Sequence, residues 1–267
     1  MGRRGWLLFW VTTLAWLAGC AGGPPIDRSH HAAGQDSRVR FIVLHYTSEN
    51  NENSLRILTQ DRVSAHYLIT DEPARIYSLV DENRRAWHAG QSQWFGYRDL
   101  NATSIGIELV NPGPLDAART RWAPYSKAQI EALSALLRDV QSRHHVNAWN
   151  IVAHSDIAPL RKTDPGPAFP WRELARQGLG RWYDENAVAQ RIPQVTVVEL
   201  GSPAYIQSLL ARIGYPIVQS GVWDAQTRQV IAAFQMHYRP TNYAGQVDSE
   251  TVAIAQDLAR HFPAPTP

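Results

Sequence analysis

The chain has 267 residues, 44% of them hydrophobic and 19% charged, enough for one large domain or two smaller ones with real cores. Ten tryptophans and ten tyrosines exclude a disordered chain, and 26 basic against 24 acidic residues, with no basic run, give no nucleic-acid footprint. A single cysteine rules out an intramolecular disulfide and a cysteine-rich zinc site.

Met1-Gly-Arg-Arg is a short positive segment, and the apolar run from Trp6 to Leu17 after it is too short for a spanning helix. Leu17-Ala18-Gly19-Cys20 resembles the lipobox of bacterial lipoproteins. That resemblance implies removal of residues 1–19 and lipid on the Cys20 thiol. Ala21, rather than Asp, after the cysteine resembles the pattern for onward transport to the outer membrane of Gram-negative bacteria. An ordinary secretory leader with a chance cysteine is the plainer alternative. Residues 20–37 are polar, contain Gly and Pro, and read as a tether, with His30-His31 as solvated chain.

Residues 40–46 contain a continuous apolar run, end in His45-Tyr46 and read as a buried strand. A short helix is expected over 54–60, and further strands over 65–69, 75–80 and 104–110, the last stopped by Asn111-Pro112-Gly113-Pro114. Ser126 and Gln129 have capping-box spacing, and Ile130, Leu133, Leu137 and Val140 follow on one face of a 3.6-residue period. A short strand over 151–154 precedes a Pro-rich loop at 159–170. Alternating strands and helices predict an α/β domain with a mixed central sheet flanked by helices. From about residue 195 the pattern turns helical, with segments near 203–213, 224–237 and 248–261. Two of these open alike, Gly221-Val-Trp-Asp224 and Gly245-Gln-Val-Asp248, with the glycine for a turn and Asp as N-cap. A small three-helix C-terminal domain is expected, with its core from Ile231, Phe234 and Leu258.

Two histidines, His45 and His154, end apolar strands, and Asp164 lies in the loop after the second. Hydrolytic metal sites use three such ligands and leave a position open for water. Each histidine alone reads first as an ordinary hydrogen-bonded core residue, and spacing cannot pair two residues so far apart.

Six motifs occur in one order: Ile42-Val-Leu-His45-Tyr-Thr, Ser64-Ala-His66-Tyr67, Trp87-His88-Ala-Gly90, Asn101-Ala-Thr-Ser-Ile-Gly-Ile-Glu108, Val152-Ala-His154-Ser-Asp156 and Arg161-Lys162-Thr-Asp164-Pro-Gly-Pro167. Together they resemble the zinc-dependent N-acetylmuramoyl-L-alanine amidases, whose fold is shared with peptidoglycan recognition proteins and a phage lysozyme. The C-terminal part, with Ala233-Phe-Gln-Met-His237, looks like a helical peptidoglycan-binding domain. With the lipobox, the layout resembles the outer-membrane lipoprotein member of that family, facing the periplasm. The domains expected are a leader at 1–19, a tether at 20–37, a catalytic domain at 38–182, a linker at 183–196, a binding domain at 197–262 and a tail at 263–267.

The resemblance implies a zinc cofactor held by His45, His154 and Asp164, with Glu108 as general base and Lys162 facing the oxyanion. The reaction implied is hydrolysis of the amide between muramic acid and L-alanine, in peptidoglycan or muropeptides. His66, Tyr67, Trp87 and His88 are candidate substrate-groove residues, although Tyr67 and His88 are equally readable as packing. Asp156 is a candidate orienter of His154. The partners implied are peptidoglycan and, through Cys20, a membrane; no nucleic acid and no protein partner is inferred. A non-catalytic peptidoglycan sensor would keep the groove and lose a ligand or the base. A glycan-strand hydrolase would use Glu108 and Asp164 as a carboxylate pair, with Asp164 free of metal.

Overall fold

The computed structural model describes residues 24–261. The leader and Cys20 therefore lie outside the described residues, and 24–36 contains no helix or strand. The elements are, in order, β1 (Phe41–Tyr46), α1 (Asn51–Gln60), β2 (Tyr67–Ile69), β3 (Ile76–Ser78), β4 (Gln93–Trp94), β5 (Tyr97–Arg98), β6 (Ser104–Leu109), α2 (Lys127–His144) and β7 (Ile151–Ala153). They continue with α3 (His154–Ile157), α4 (Trp171–Arg176), α5 (Glu185–Arg191), α6 (Val197–Gly201), α7 (Pro203–Ile213), α8 (Ala225–Tyr238) and α9 (Ser249–His261).

The expected mixed sheet is present, in the order β3-β2-β6-β1-β7. The pairs β2·β6, β6·β1 and β1·β7 are parallel, and β3 is the antiparallel edge. Strands alternate their side chains, so the apolar runs of β1 and β7 serve two layers. Ile42, Leu44, Ile105, Ile107 and Leu109 face one way and pack with Ile130, Leu133, Leu137 and Val140 of α2. Ser126 caps α2 by accepting from the Gln129 N–H. The Gln129 side chain does not close the expected box; its amide donates instead to the Ile69 and Val110 carbonyls and ties the helix to the sheet.

On the opposite face Phe41, Val43 and Val152 share one apolar cluster with Ile206, Leu210, Ile213, Phe234 and Leu258 of the C-terminal helices. The sheet's second covering layer is thus the C-terminal three-helix part, and residues from Ser37 onward form one compact unit. The stretch expected as a linker contains α5, whose Val188 is buried in the same cluster. The short β4–β5 hairpin was not legible in the sequence; its Trp94 is fully buried edge-on against Tyr215, with ring centroids 5.0 Å apart. Phe95 N–H donates to Gly214 O, and a Cβ at Gly214 would meet Trp94 at 2.9 Å.

The C-terminal helices repeat one polar device. Asp224 and Asp248 accept from the N–H of Thr227 and Thr251 respectively. In each copy a buried glutamine on the preceding helix accepts from a glycine N–H and donates to the threonine hydroxyl: Gln207 with Gly221 and Thr227, Gln235 with Gly245 and Thr251. Among the described residues no helix is long and apolar enough to cross a membrane.

Trp94 bridges both halves of this cluster. Trp94→Ala is expected to lower unfolding free energy by about 3–5 kcal/mol in urea titration, the cost of emptying a large core position. Far-UV circular dichroism and tryptophan fluorescence should report the same transition.

Candidate active site

The parallel register builds the site. His45 at the end of β1 lies opposite Glu108 of β6, and β7 runs directly into the one-turn helix α3, which opens with His154. Side chains of Phe41, Val43 and His45 alternate with those facing α2, so the histidine emerges where the second apolar layer stops. Asp164 is brought in by the following loop, where the Ser155 N–H donates to its carbonyl at 2.9 Å. Tyr125 OH fixes the next residue by donating to Pro165 O at 2.8 Å.

Three buried atoms converge: His45 Nδ1, His154 Nδ1 and Asp164 Oδ2, separated by 2.8, 3.0 and 2.9 Å. Their hydrogen-bond partners decide where the protons are. Ser104 Oγ–H donates to Leu100 O at 2.5 Å, so its oxygen accepts from His88 Nε2–H at 3.2 Å. His88 Nδ1 then carries a lone pair and accepts from His45 Nε2–H at 3.0 Å, which leaves a lone pair on His45 Nδ1. His154 Nε2–H donates to Ala89 O at 3.0 Å, which leaves a lone pair on its Nδ1 as well. Two imidazole lone pairs and a carboxylate oxygen therefore face one another with no hydrogen between them. A cation between them removes the repulsion, and this N,N,O set can hold a metal ion.

Charge agrees with that reading. Burial, with His154 beside it, draws His45 down to about 4, so the ring is neutral near pH 7. Burial also draws His88 well below its usual value, with His45 adding to the effect. Burial alone would raise Asp164, and positive charge on the His154 and His45 side holds its carboxyl below the ordinary carboxylate range; with both rings neutral, a bound cation would supply that charge. Glu108 goes the other way: burial first, then the Asp164 charge, pushes it up to about 8, against an opposing pull from Lys162. Its Oε2 is buried with no hydrogen-bond partner.

These residues open into a groove of about 330 Å³ whose wall includes Glu108, Trp87, His88, Arg119, Arg161 and Lys162. Trp87 is 59% exposed and stacks under the Arg85 guanidinium. His88 thus serves two places, the groove wall and the support of His45. Its ring lies over Gly106, where a Cβ would come within 2.3 Å of it. His66 and Tyr67 lie elsewhere than the groove wall. His66 is buried, accepts from Gly106 N–H and donates to Arg84 O, while Tyr67 OH donates to Glu82. Both belong to the sheet's support, and the motif that carries them gives no local sign of which way the rings turn.

Two contributors were not legible in the sequence. Asn101 Oδ1 accepts from the N–H groups of His88 and Ala89 and so fixes the loop that carries both the relay histidine and the carbonyl behind His154. Tyr243, from the C-terminal part, accepts from Trp122 Nε1 and donates to Arg119 O, bracing the groove's rim.

A family model described as N-acetylmuramoyl-L-alanine amidase matches residues 35–167, and one described as a peptidoglycan binding domain matches residues 203–254. The chain is 44% identical over 274 residues to N-acetylmuramoyl-L-alanine amidase AmiD of Escherichia coli (strain K12), covering 95% of this chain and 98% of that protein. It is 44% identical over 109 residues to 1,6-anhydro-N-acetylmuramyl-L-alanine amidase AmpD of Enterobacter cloacae, covering 41% of this chain and 54% of that one. Among solved structures, E. coli AmiD in complex with the substrate anhydro-N-acetylmuramic acid-L-Ala-D-gamma-Glu-L-Lys is similar with a TM-score of 0.80 and 42% identity, over 89% of this chain and 95% of that one. AmpDh3 from Pseudomonas aeruginosa, in complex with anhydromuramic pentapeptide, is similar with a TM-score of 0.80 and 38% identity, over 90% of this chain and 99% of that one.

The titrations of Glu108 and His45 act oppositely on the metal-free protein. Glu108 is raised from 4.5 to about 8, so its contribution is complete below 4.5 and is lost as pH rises through 8. His45 is lowered from 6.5 to about 4, so its contribution is present above 6.5 and is lost as pH falls through 4. In urea titrations of metal-free protein, Glu108→Gln should therefore be more stable than wild type at about pH 9, with the gain shrinking toward about pH 5.

Proposed function

The chain belongs to the N-acetylmuramoyl-L-alanine amidase family, and on that premise we propose that His45, His154 and Asp164 hold a zinc ion, with Glu108 and Lys162 serving the hydrolysis beside it. The enzyme cleaves the amide between N-acetylmuramic acid and L-alanine. The observation that carries the residue assignment is the set of three inward-facing lone pairs, because the relay through His88 and Ser104 leaves no proton to share among them. Zinc at this N,N,O set supplies a Lewis acid that activates water and polarises the carbonyl.

The chain's own groups do the rest. A cation at the three ligands would offset burial and the Asp164 charge and leave Glu108 ionised; its Oε2, unpartnered and one strand from His45, then accepts the proton of the attacking water. Lys162 lines the same groove and places its positive charge near the oxygen that becomes negative at the lactyl carbonyl. The carbon–nitrogen bond then breaks, and Glu108 returns the proton to the leaving amine of L-alanine. Trp87 and His88 line the substrate side of the groove. A glycosidase reading is disfavoured, because Asp164 Oδ2 already lies within 3.0 Å of two imidazoles and is no free carboxylate.

Substrates of this reading are peptidoglycan and muropeptides, including those ending in anhydro-muramic acid. The likeness to AmiD and AmpDh3, both solved with anhydro-muramyl peptides, supports it. Residues 203–254, which match a peptidoglycan binding domain, would hold the enzyme on the polymer and raise its effective concentration there. The lipobox-like Leu17-Ala18-Gly19-Cys20 supports a protein in the periplasm of a Gram-negative bacterium, anchored by lipid at Cys20 to the outer membrane.

Glu108→Gln keeps the side chain's size but cannot accept the water's proton; single-turnover rate should fall by about 10²–10⁴-fold while zinc content stays at wild type. Lys162→Met should lose about 10²–10³-fold, also with zinc retained. Mass spectrometry of muropeptides with the same preparations reads the product: a peptide with N-terminal L-alanine and a glycan of unchanged length. Glu108→Gln with full zinc and near wild-type rate would remove the base from this scheme.

Cys20→Ala should shift the protein from the outer-membrane fraction to precursor or soluble periplasmic protein, read by fractionation and immunoblot. Wild-type levels in the outer membrane would sink the lipid anchor.

A further inference from the structure

The one-turn helix that presents His154 is held from outside the sheet domain. Its Asp156 is fully buried and has three donors. Ala153 N–H, just before the helix, donates to Oδ2 at 2.8 Å. Tyr215 OH donates to Oδ1 at 2.6 Å, and His237 Nδ1–H donates to Oδ2 at 2.7 Å. The first bond is local and closes the turn between β7 and α3. The other two come from the C-terminal helical part, one from the turn after α7 and one from α8.

The His237 ring is itself fixed. It stacks on Trp171 at 3.9 Å between centroids with planes 17° apart, and on Tyr238 at 4.0 Å and 11°. Tyr215 is buried against Trp94 and Phe234, and burial beside Asp156 raises its pKa well above the usual phenol value, so its hydroxyl stays a donor. Neither residue lines the groove, and each is bonded to Asp156.

We propose that the C-terminal helical part is a positioning element of the amidase site: Tyr215 and His237 hold the Asp156 carboxylate that sets the helical turn carrying His154. This goes beyond attachment to the wall, and it rests on the reading of His154 as a zinc ligand. A buried carboxylate stripped of two of its three donors cannot stay where it is, because an unpaired charge in a dry interior is costly. Moving Asp156 releases the Ala153 N–H and lets the turn rotate. His154 Nδ1 then leaves the point where it faces His45 and Asp164. Partners one step behind a metal ligand are typically worth 10–100-fold in metal affinity.

The test uses the full-length protein and reads zinc affinity by competition with a chromogenic chelator. A second readout, the visible spectrum of the cobalt-substituted protein, reports ligand geometry. Tyr215→Phe removes one oxygen, and His237→Leu removes the donor. Each should weaken zinc binding by about 10–100-fold and shift the cobalt bands. His237→Asn restores an N–H near the Nδ1 position and should recover part of the loss, which filling space alone would not do. Ile231→Val, a core change on α8 distant in role from Asp156, should leave both readouts unchanged. If His237→Leu fails to fold, Tyr215→Phe decides the matter alone. Wild-type affinity and spectrum in Tyr215→Phe would overturn the positioning role while leaving zinc at His154 intact. A wild-type protein without stoichiometric zinc would instead overturn the ligand assignment, and the positioning role with it.

Discussion

Three lone pairs face one another inside this protein, and most of its architecture can be read as what keeps them there. Left to themselves, two imidazole nitrogens and a carboxylate within 3.0 Å would turn away or recruit a proton. The two rings cannot turn, because His154 is tied to the Ala89 carbonyl and His45 to His88, and the Asp164 backbone is held by the Ser155 N–H. Rigid surroundings hold the three atoms together, and a cation among them would relieve the repulsion, as a preorganised metal site does.

The surroundings are rigid because the parallel ladder fixes heights as well as directions. β1, β6 and β7 bring His45, Glu108 and the start of α3 to one edge; apolar layers clamp β1 and β7 on both faces and β6 on the α2 side. The relay histidine has room because Gly106 has no side chain beneath it. The Gly106 N–H is in turn occupied by His66. Removing any of these would be felt at His45, two or three contacts away, so the distinction between core and active site is a matter of distance along one network.

The parts legible in the sequence were those with a local signal. Continuous apolar runs marked the strands that end in His45 and His154, and a 3.6-residue period marked α2 with its buried Ile130, Leu133, Leu137 and Val140. The two Gly-to-Asp openings marked α8 and α9. Illegible parts were those made by partners far apart in the chain. Nothing near Asp156 announces Tyr215 or His237, and nothing near His88 says that its ring supports His45 while His66, in a similar setting, supports the sheet. The β4–β5 hairpin and α5 were missed for another reason: elements of two and seven residues are too short to display a period.

Sheet and C-terminal helices share a single apolar cluster, and that has a consequence for the order in which the molecule comes into being. Val43 and Phe234 meet in that cluster although nearly the whole folded chain separates them. A chain made from its N-terminus cannot bury the inner face of β1 until α8 has been delivered. Until then Phe41, Val43 and Trp94 have no covering layer, and long-range closure of this kind is slow. A groove whose rim is braced by Tyr243, on a sheet backed by α7 to α9, is complete only once the last helices are in place.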